Sequence, residues 1–193
     1  MNILLVDNYD SFTFNLQHYL KTFHTEVTVL RNDHPDILNL NIAGYNGIVI
    51  SPGPGKPAEA GLLPAFINQT IRQVPVLGVC LGYQAIGEFF GAKLEQSGNP
   101  KQGKISPVKH NGHCMFTNIP SEFKATRYHS LVLNKLPSAL IQTAFTHEKE
   151  LMAFAHKDLP VWGVQYHPEA ILSGFGYQII NNWLQLCRHK NSF

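Results

Sequence analysis

Cysteine is scarce, with three in 193 residues: Cys80, Cys114 and Cys187. The odd count and wide spacing argue against a disulfide framework and against a zinc knuckle. They fit a reducing cytoplasm, where a thiol stays usable. Charge is also low, at 15% of residues with a formal net charge of +2. Lys and Arg are scattered, and no basic run is interleaved with aromatics, which counts against nucleic acid as a partner. No apolar stretch is long enough to span a membrane. The start, Met1-Asn2-Ile3-Leu4-Leu5-Val6-Asp7, has no basic n-region, and Asp7 interrupts its apolar run; it reads as a strand rather than a signal peptide. His110, His113 and Cys114 are loosely spaced like ligands but lack a fourth, and no metal or other cofactor is expected. There is no internal repeat, low-complexity tract or linker. Residues 1–193 therefore read as one domain, and a hydrophobic content of 44% is ample for a large core.

The first ninety residues alternate strand and helix. Residues 2–6, 27–30, 47–50 and 75–79 read as strands, and helical spacing follows at 12–23 and 59–73. Ser11 or Asp10 is placed to cap the first helix, and Phe12, Phe14 and Tyr19 are expected mostly in the core. This alternation predicts an α/β domain, with a largely parallel central sheet and helices on both faces. Residues 94–160 change character. Short strand-like pieces at 105–108, 124–128, 140–144 and 152–155, separated by turn residues, predict a small added antiparallel layer. Residues 162–166 read as a strand, residues 176–188 as an amphipathic helix with Cys187 on its apolar face, and His189-Lys190-Asn191 as a frayed end.

Ligands of such sheets bind beyond the carboxyl ends of the strands. Cys80 stands at such an end, in Gly78-Val79-Cys80-Leu81-Gly82. A nucleophile on a sharp strand-to-helix turn needs neighbours without Cβ atoms, because strand and helix pass close together there. The helix start favours a thiolate and leaves N–H groups free to hold an oxyanion. A cysteine nucleophile needs a base, and the base an orienting group. Of the ten histidines, His167 has the right company: it follows an apolar strand and precedes Pro168-Glu169. Pro168 biases His167 towards extended backbone, and residues i and i+2 then share a side. Glu169 can so fix the imidazole tautomer. Ser51-Pro52-Gly53-Pro54-Gly55 lacks the lysine of a phosphate loop. Beside Cys80 it suits an oxyanion hole, with Gly53 and Leu81 as the donors.

Gly78–Gly82, His167-Pro168-Glu169 and Ser51–Gly55, in this order and at these separations, resemble the class I (triad-type) glutamine amidotransferases over essentially the whole chain. Val6-Asp7-Asn8-Tyr9-Asp10-Ser11-Phe12, Pro107–Gly112 and Arg127-Tyr128-His129-Ser130-Leu131 narrow the resemblance. They are similar to the glutaminase subunits of anthranilate synthase and aminodeoxychorismate synthase. The resemblance implies that Cys80 attacks the glutamine side-chain amide, that His167 relays the proton, and that Glu169 orients His167. It implies an oxyanion held by Gly53 and Leu81. It also implies a substrate site of Gly53, Pro54, Gly55, Leu81, Gln84, Ser130 and Leu131. Ammonia would pass to a chorismate-binding synthase subunit, for anthranilate (tryptophan pathway) or aminodeoxychorismate (folate pathway).

The chain departs from that family at three places: Tyr83 and Gln102, where His is usual, and Ala170, where Ser is usual. Tyr83 keeps an aromatic body and a polar tip, so its helix should still pack. Ala170 lacks a hydroxyl that would bond near the triad. Positions 83 and 102 are also candidates for a partner-facing surface. The alternatives are a free-standing γ-glutamyl hydrolase or related cysteine hydrolase, and a non-catalytic regulatory subunit. Intact Cys80, His167 and Glu169 argue against the last.

Overall fold

Every residue of Gly47–Ile50 (β3), Val76–Val79 (β4) and Val161–Val164 (β11) is buried, and only the first residue of Asn2–Asp7 (β1) is not. Runs apolar at every position have no solvent side and must be covered on both faces. A computed structural model describes residues 1–98 and 100–188 and shows how this is done. With β2 (Glu26–Arg31), these strands form the parallel half of a nine-stranded sheet. The sheet runs β2-β1-β3-β4-β11 and continues through β10 (Leu151–His156), β9 (Leu140–Thr146), β6 (Lys104–His110) and β7 (Glu122–Arg127), all antiparallel. Helices α1 (Thr13–Thr22) and α4 (Gly176–Arg188) cover one face with Leu16, Leu20, Ile180, Trp183 and Leu184. Helices α2 (Leu63–Thr70) and α3 (Leu81–Phe89) cover the other with Leu63, Phe66, Ile67 and Ile86.

The expected small antiparallel layer exists as the pair β5 (Lys93–Gln96) and β8 (Leu131–Asn134). The four middle pieces expected in that layer extend the central sheet instead, because β10 pairs directly with β11. Helix α2 is shorter than the expected 59–73: residues Pro57–Glu59 form a separate turn before it. The first helix starts at Thr13 with no side-chain cap. Asp10 accepts from the Phe12 N–H one step earlier, at 2.8 Å, and Asp7 organises the turn, its Oδ1 accepting from the Tyr9 N–H (2.9 Å) and the Thr13 hydroxyl (2.8 Å). Phe14 is 64% exposed rather than core, because the buried stripe of α1 runs through Thr13, Leu16 and Leu20. The expected frayed end lies outside the described residues.

What this arrangement positions is a set of strand ends. The loops after β1, β3, β4 and β11 emerge side by side at the carboxyl edge of the parallel strands. Asn8 ties two of them together, its N–H donating to Ser51 Oγ (2.9 Å) and its side-chain amide to the Ser51 carbonyl (2.8 Å). The Cys80 N–H donates to the Val164 carbonyl (2.9 Å), fixing the β4 end against the β11 end.

Candidate active site

Cys80 sits between β4 and α3 with φ +50° and ψ −101°, a conformation L-residues rarely adopt. The flanking glycines make it possible. A Cβ on Gly78 would lie 2.5 Å from the Gly82 backbone, and one on Gly82 would lie 2.4 Å from the Ile50 carbonyl oxygen. Strand, turn and helix are therefore in backbone contact, and any side chain at either position would open the turn. Gly53 is constrained in the same way: its Cβ would meet the Asn8 carbonyl oxygen and Leu81 Cδ2, each at 2.7 Å. The Gly/Pro loop thus lies directly against the first residue of α3. Leu81 opens that helix, so its N–H has no intrahelical acceptor.

His167 Nδ1 and Glu169 Oε1 are 2.7 Å apart, both side chains buried. The route to this contact differs from the expected extended strand. The Ala170 N–H donates to the His167 carbonyl (3.2 Å), so a turn over 167–170 swings Glu169 back to the ring. The hydroxyl that Ala170 lacks is present from another residue. Ser173 Oγ donates to the His167 carbonyl (2.5 Å) and accepts the Thr126 N–H (3.0 Å). The rings of Phe12 and Tyr128 flank the imidazole at 5.6 and 5.1 Å. Burial pushes the imidazole pKa down, but the Cys80 side chain and the Glu169 carboxylate outweigh it, raising it from 6.5 to about 11. The buried Nε2 has no partner at hydrogen-bond distance among the described residues. A catalytic base commonly lacks its hydrogen bond in the resting site and gains it when substrate closes the site.

A cavity of about 200 Å³ opens over Cys80. Gly53, Pro54 and Gly55 form one wall, Gln84, Ser130 and Leu131 another. The expected substrate residues are thereby brought together, except that the Leu81 side chain packs under the Gly53 loop and lines a neighbouring hollow. Gln102 lies on the cavity rim with Tyr128 and His129. Tyr83 does not face outward at all: it is fully buried, stacked on Phe154 at 4.9 Å, with its hydroxyl donating to the Leu151 carbonyl (3.3 Å). A partner-facing role for position 83 is therefore ruled out, while its helix packs as expected.

Two groups here escaped the sequence reading. Gln165 is buried beside the thiol, a signal that two-residue alternation from His167 back along the chain would have raised. The other is a buried cluster behind the Ser130–Leu131 wall. The Arg127 guanidinium pairs with Glu150, and its Nε–H donates to His129 Nε2 (3.1 Å). His129 Nδ1–H in turn donates to the Leu131 carbonyl (3.0 Å). These partners fix His129 as the neutral Nδ1–H tautomer. Burial, then Arg127, lower its pKa from 6.5 to about 3. The unfolded chain protonates this histidine below pH 6.5 and the native chain does not until about pH 3. Its stabilising contribution is thus whole above 6.5 and lost as pH falls through that window, at about 1.4 kcal/mol per pH unit. Urea denaturation should show His129→Gln with an acid limb shallower than wild type by about that slope; parallel limbs would refute the assignment.

The model of the family "Glutamine amidotransferase class-I" matches residues 4–186. Anthranilate synthase component 2 of Azospirillum brasilense is 43% identical over 189 residues, covering 96% of each chain. Aminodeoxychorismate/anthranilate synthase component 2 of Bacillus subtilis is 41% identical, covering 97% of this chain and 98% of its own. The crystal structure of a Thermoplasma acidophilum protein described as one subunit of GMP synthase superposes with a TM-score of 0.89 at 26% identity, covering 99% of this chain and 96% of its own.

Proposed function

The chain belongs to the class-I glutamine amidotransferases, and from that we propose that Cys80, His167 and Glu169 are its catalytic triad. It is the glutaminase subunit that feeds ammonia to a chorismate-converting synthase, in the manner of its component 2 relatives. The observation that supports the triad is a strained elbow thiol at the cavity whose side chain acts on a buried histidine paired with Glu169.

The chemistry follows from the positions. The Cys80 thiolate, its proton already held on His167 Nε2, attacks the side-chain carbonyl carbon of glutamine. The carbonyl oxygen, now negative, is held by the Gly53 and Leu81 N–H groups. His167 returns the proton to the departing nitrogen, the C–N bond breaks, and ammonia leaves a γ-glutamyl thioester. Water, deprotonated by His167, then cleaves the C–S bond and releases glutamate. Glu169 holds the ring so that Nε2 faces the sulfur and stabilises the imidazolium formed on the way. The Ser130–Leu131 wall and Gln84 take the amino-acid end of the substrate.

The ammonia acceptor lies outside these residues, because the amidotransferase domain already occupies 4–186. Ile171, 92% exposed, stands with Leu172 and Phe175 on the turn beyond Glu169. An exposed apolar surface that follows the His167–Glu169 segment in the chain supports a partner that receives ammonia before it is protonated. No helix of the described residues is long and apolar enough to cross a membrane, and three widely spaced cysteines fit the cytoplasm.

The test is reconstitution with the same organism's chorismate-binding synthase subunits, one at a time, with glutamine and chorismate supplied. One of them should yield a glutamine-dependent product, and its mass, anthranilate or aminodeoxychorismate, names the pathway. If none gains glutamine dependence while the chain alone cleaves γ-glutamyl peptides efficiently, the free-standing hydrolase replaces this reading.

A further inference from the structure

Gln165, immediately after β11, is completely buried. Its amide lies between the nucleophile and the substrate wall. Nε2 donates to Cys80 Sγ at 3.7 Å, and Oε1 accepts from Gln84 Nε2 at 3.2 Å. Which end of an amide carries the nitrogen has to be argued from its partners, and here they settle it. The Leu131 carbonyl can only accept, so the Gln84 atom 3.2 Å from it is the nitrogen. That nitrogen also meets Gln165, so the Gln165 atom facing it is the oxygen. The remaining end of Gln165, turned to the sulfur, is then the NH₂ group.

We propose that Gln165 is a further catalytic residue, which holds the Cys80 thiolate by a hydrogen bond from its side-chain amide. The inference rests on Cys80 being the nucleophile. An amide suits the task because it does not titrate: it steadies a negative sulfur without competing with His167 for the proton. A buried donor to a charged acceptor is also a stronger bond than a neutral pair makes. The chain from the Leu131 carbonyl through Gln84 to Gln165 links the substrate wall to the thiolate. His167, with Glu169 behind it, comes to the sulfur from the segment after β11, and Tyr128 and His129, from the segment after β7, line the cavity over it.

A purely structural Gln165 would leave the sulfur's reactivity unchanged, and this separates the two roles. Iodoacetamide alkylation of Cys80 is followed by peptide mass as a function of pH, with Cys114→Ser as background. Gln165→Met, close in volume, should move the midpoint of the profile up by about one pH unit, the size of a tenfold loss of thiolate at neutral pH. Gln165→Glu should move it further, since a carboxylate then faces the thiolate. The midpoint is the readout because a more basic thiolate is intrinsically more nucleophilic, which masks part of the change in rate. Gln84→Met leaves Gln165 in place but frees its amide to turn. It should shift the midpoint in the same direction by less, and it keeps the test open should Gln165→Met not fold. Folded variants with the wild-type midpoint overturn the proposal. A Cys80 no more reactive than a free cysteine thiol in solution overturns the nucleophile assignment itself, and this inference with it.

Discussion

Cys80→Ser lowers glutamine hydrolysis by at least about 10⁴-fold, while the reconstituted synthase keeps its rate with ammonium. The substitution changes one atom and keeps the size, so the strained turn at φ +50° has no reason to relax. What changes is the nucleophile. A hydroxyl gives up its proton far less readily than a thiol, and the base here is arranged for a thiol: the sulfur and Glu169 together hold His167 protonated, with its pKa at about 11. Without a negative sulfur, that imidazole has no stored proton pair to use. Because the triad acts as a unit, His167→Ala added to Cys80→Ser should cost little more than the first change alone. Ammonia release in a coupled assay measures the loss, and mass spectrometry should find a γ-glutamyl adduct on wild type only. A Cys80→Ser enzyme within tenfold of wild type would sink the nucleophile assignment.

How much of this could be read from the residues depended on how local each signal was. The last helix, α4, was legible from its first residue because its apolar stripe packs one face of the sheet, and β3 because it is apolar throughout. The elbow and the His–Glu pair were legible because glycine spacing and a short i, i+2 relation are written in consecutive residues. The antiparallel strands were found as pieces but placed wrongly. They are short, β10 and β9 pair with register shifts near Ala153, and nothing local says which neighbour a strand will take. Tyr83 was misread for a related reason. Residues 81–87 of α3 are all buried, so the helix has no polar face from which to infer an outside. The roles of Gln165 and Arg127 were not read, because the partners that define them, Cys80 and Glu150, lie 85 and 23 residues away in sequence.

Arg127→Met should cost about 3 kcal/mol of stability and raise the KM for glutamine well above any change in kcat. Arg127 is 1% exposed, and three acceptors surround it: Glu150, His129 Nε2 and, at 3.4 Å, Ser106 Oγ. Removing the cation leaves a carboxylate with 18% of its side chain exposed and a buried imidazole nitrogen without its donor. The Glu150 side chain can still find some water, which places the cost at the lower end for a broken buried pair. The double change Arg127→Met with Glu150→Met removes both charges and should recover much of the loss. The kinetic effect follows from the next link. His129 holds the Leu131 carbonyl at 3.0 Å, and Arg127 donates to the far side of that ring at 3.1 Å. With His129 free to turn, the Ser130–Leu131 wall loses its support, whereas the Cys80–His167–Glu169 geometry, built on β4 and the segment after β11, is untouched. The expected result is therefore a binding defect in an enzyme whose chemistry survives. A fall in kcat at unchanged KM would show instead that the cluster supports the triad rather than the substrate wall.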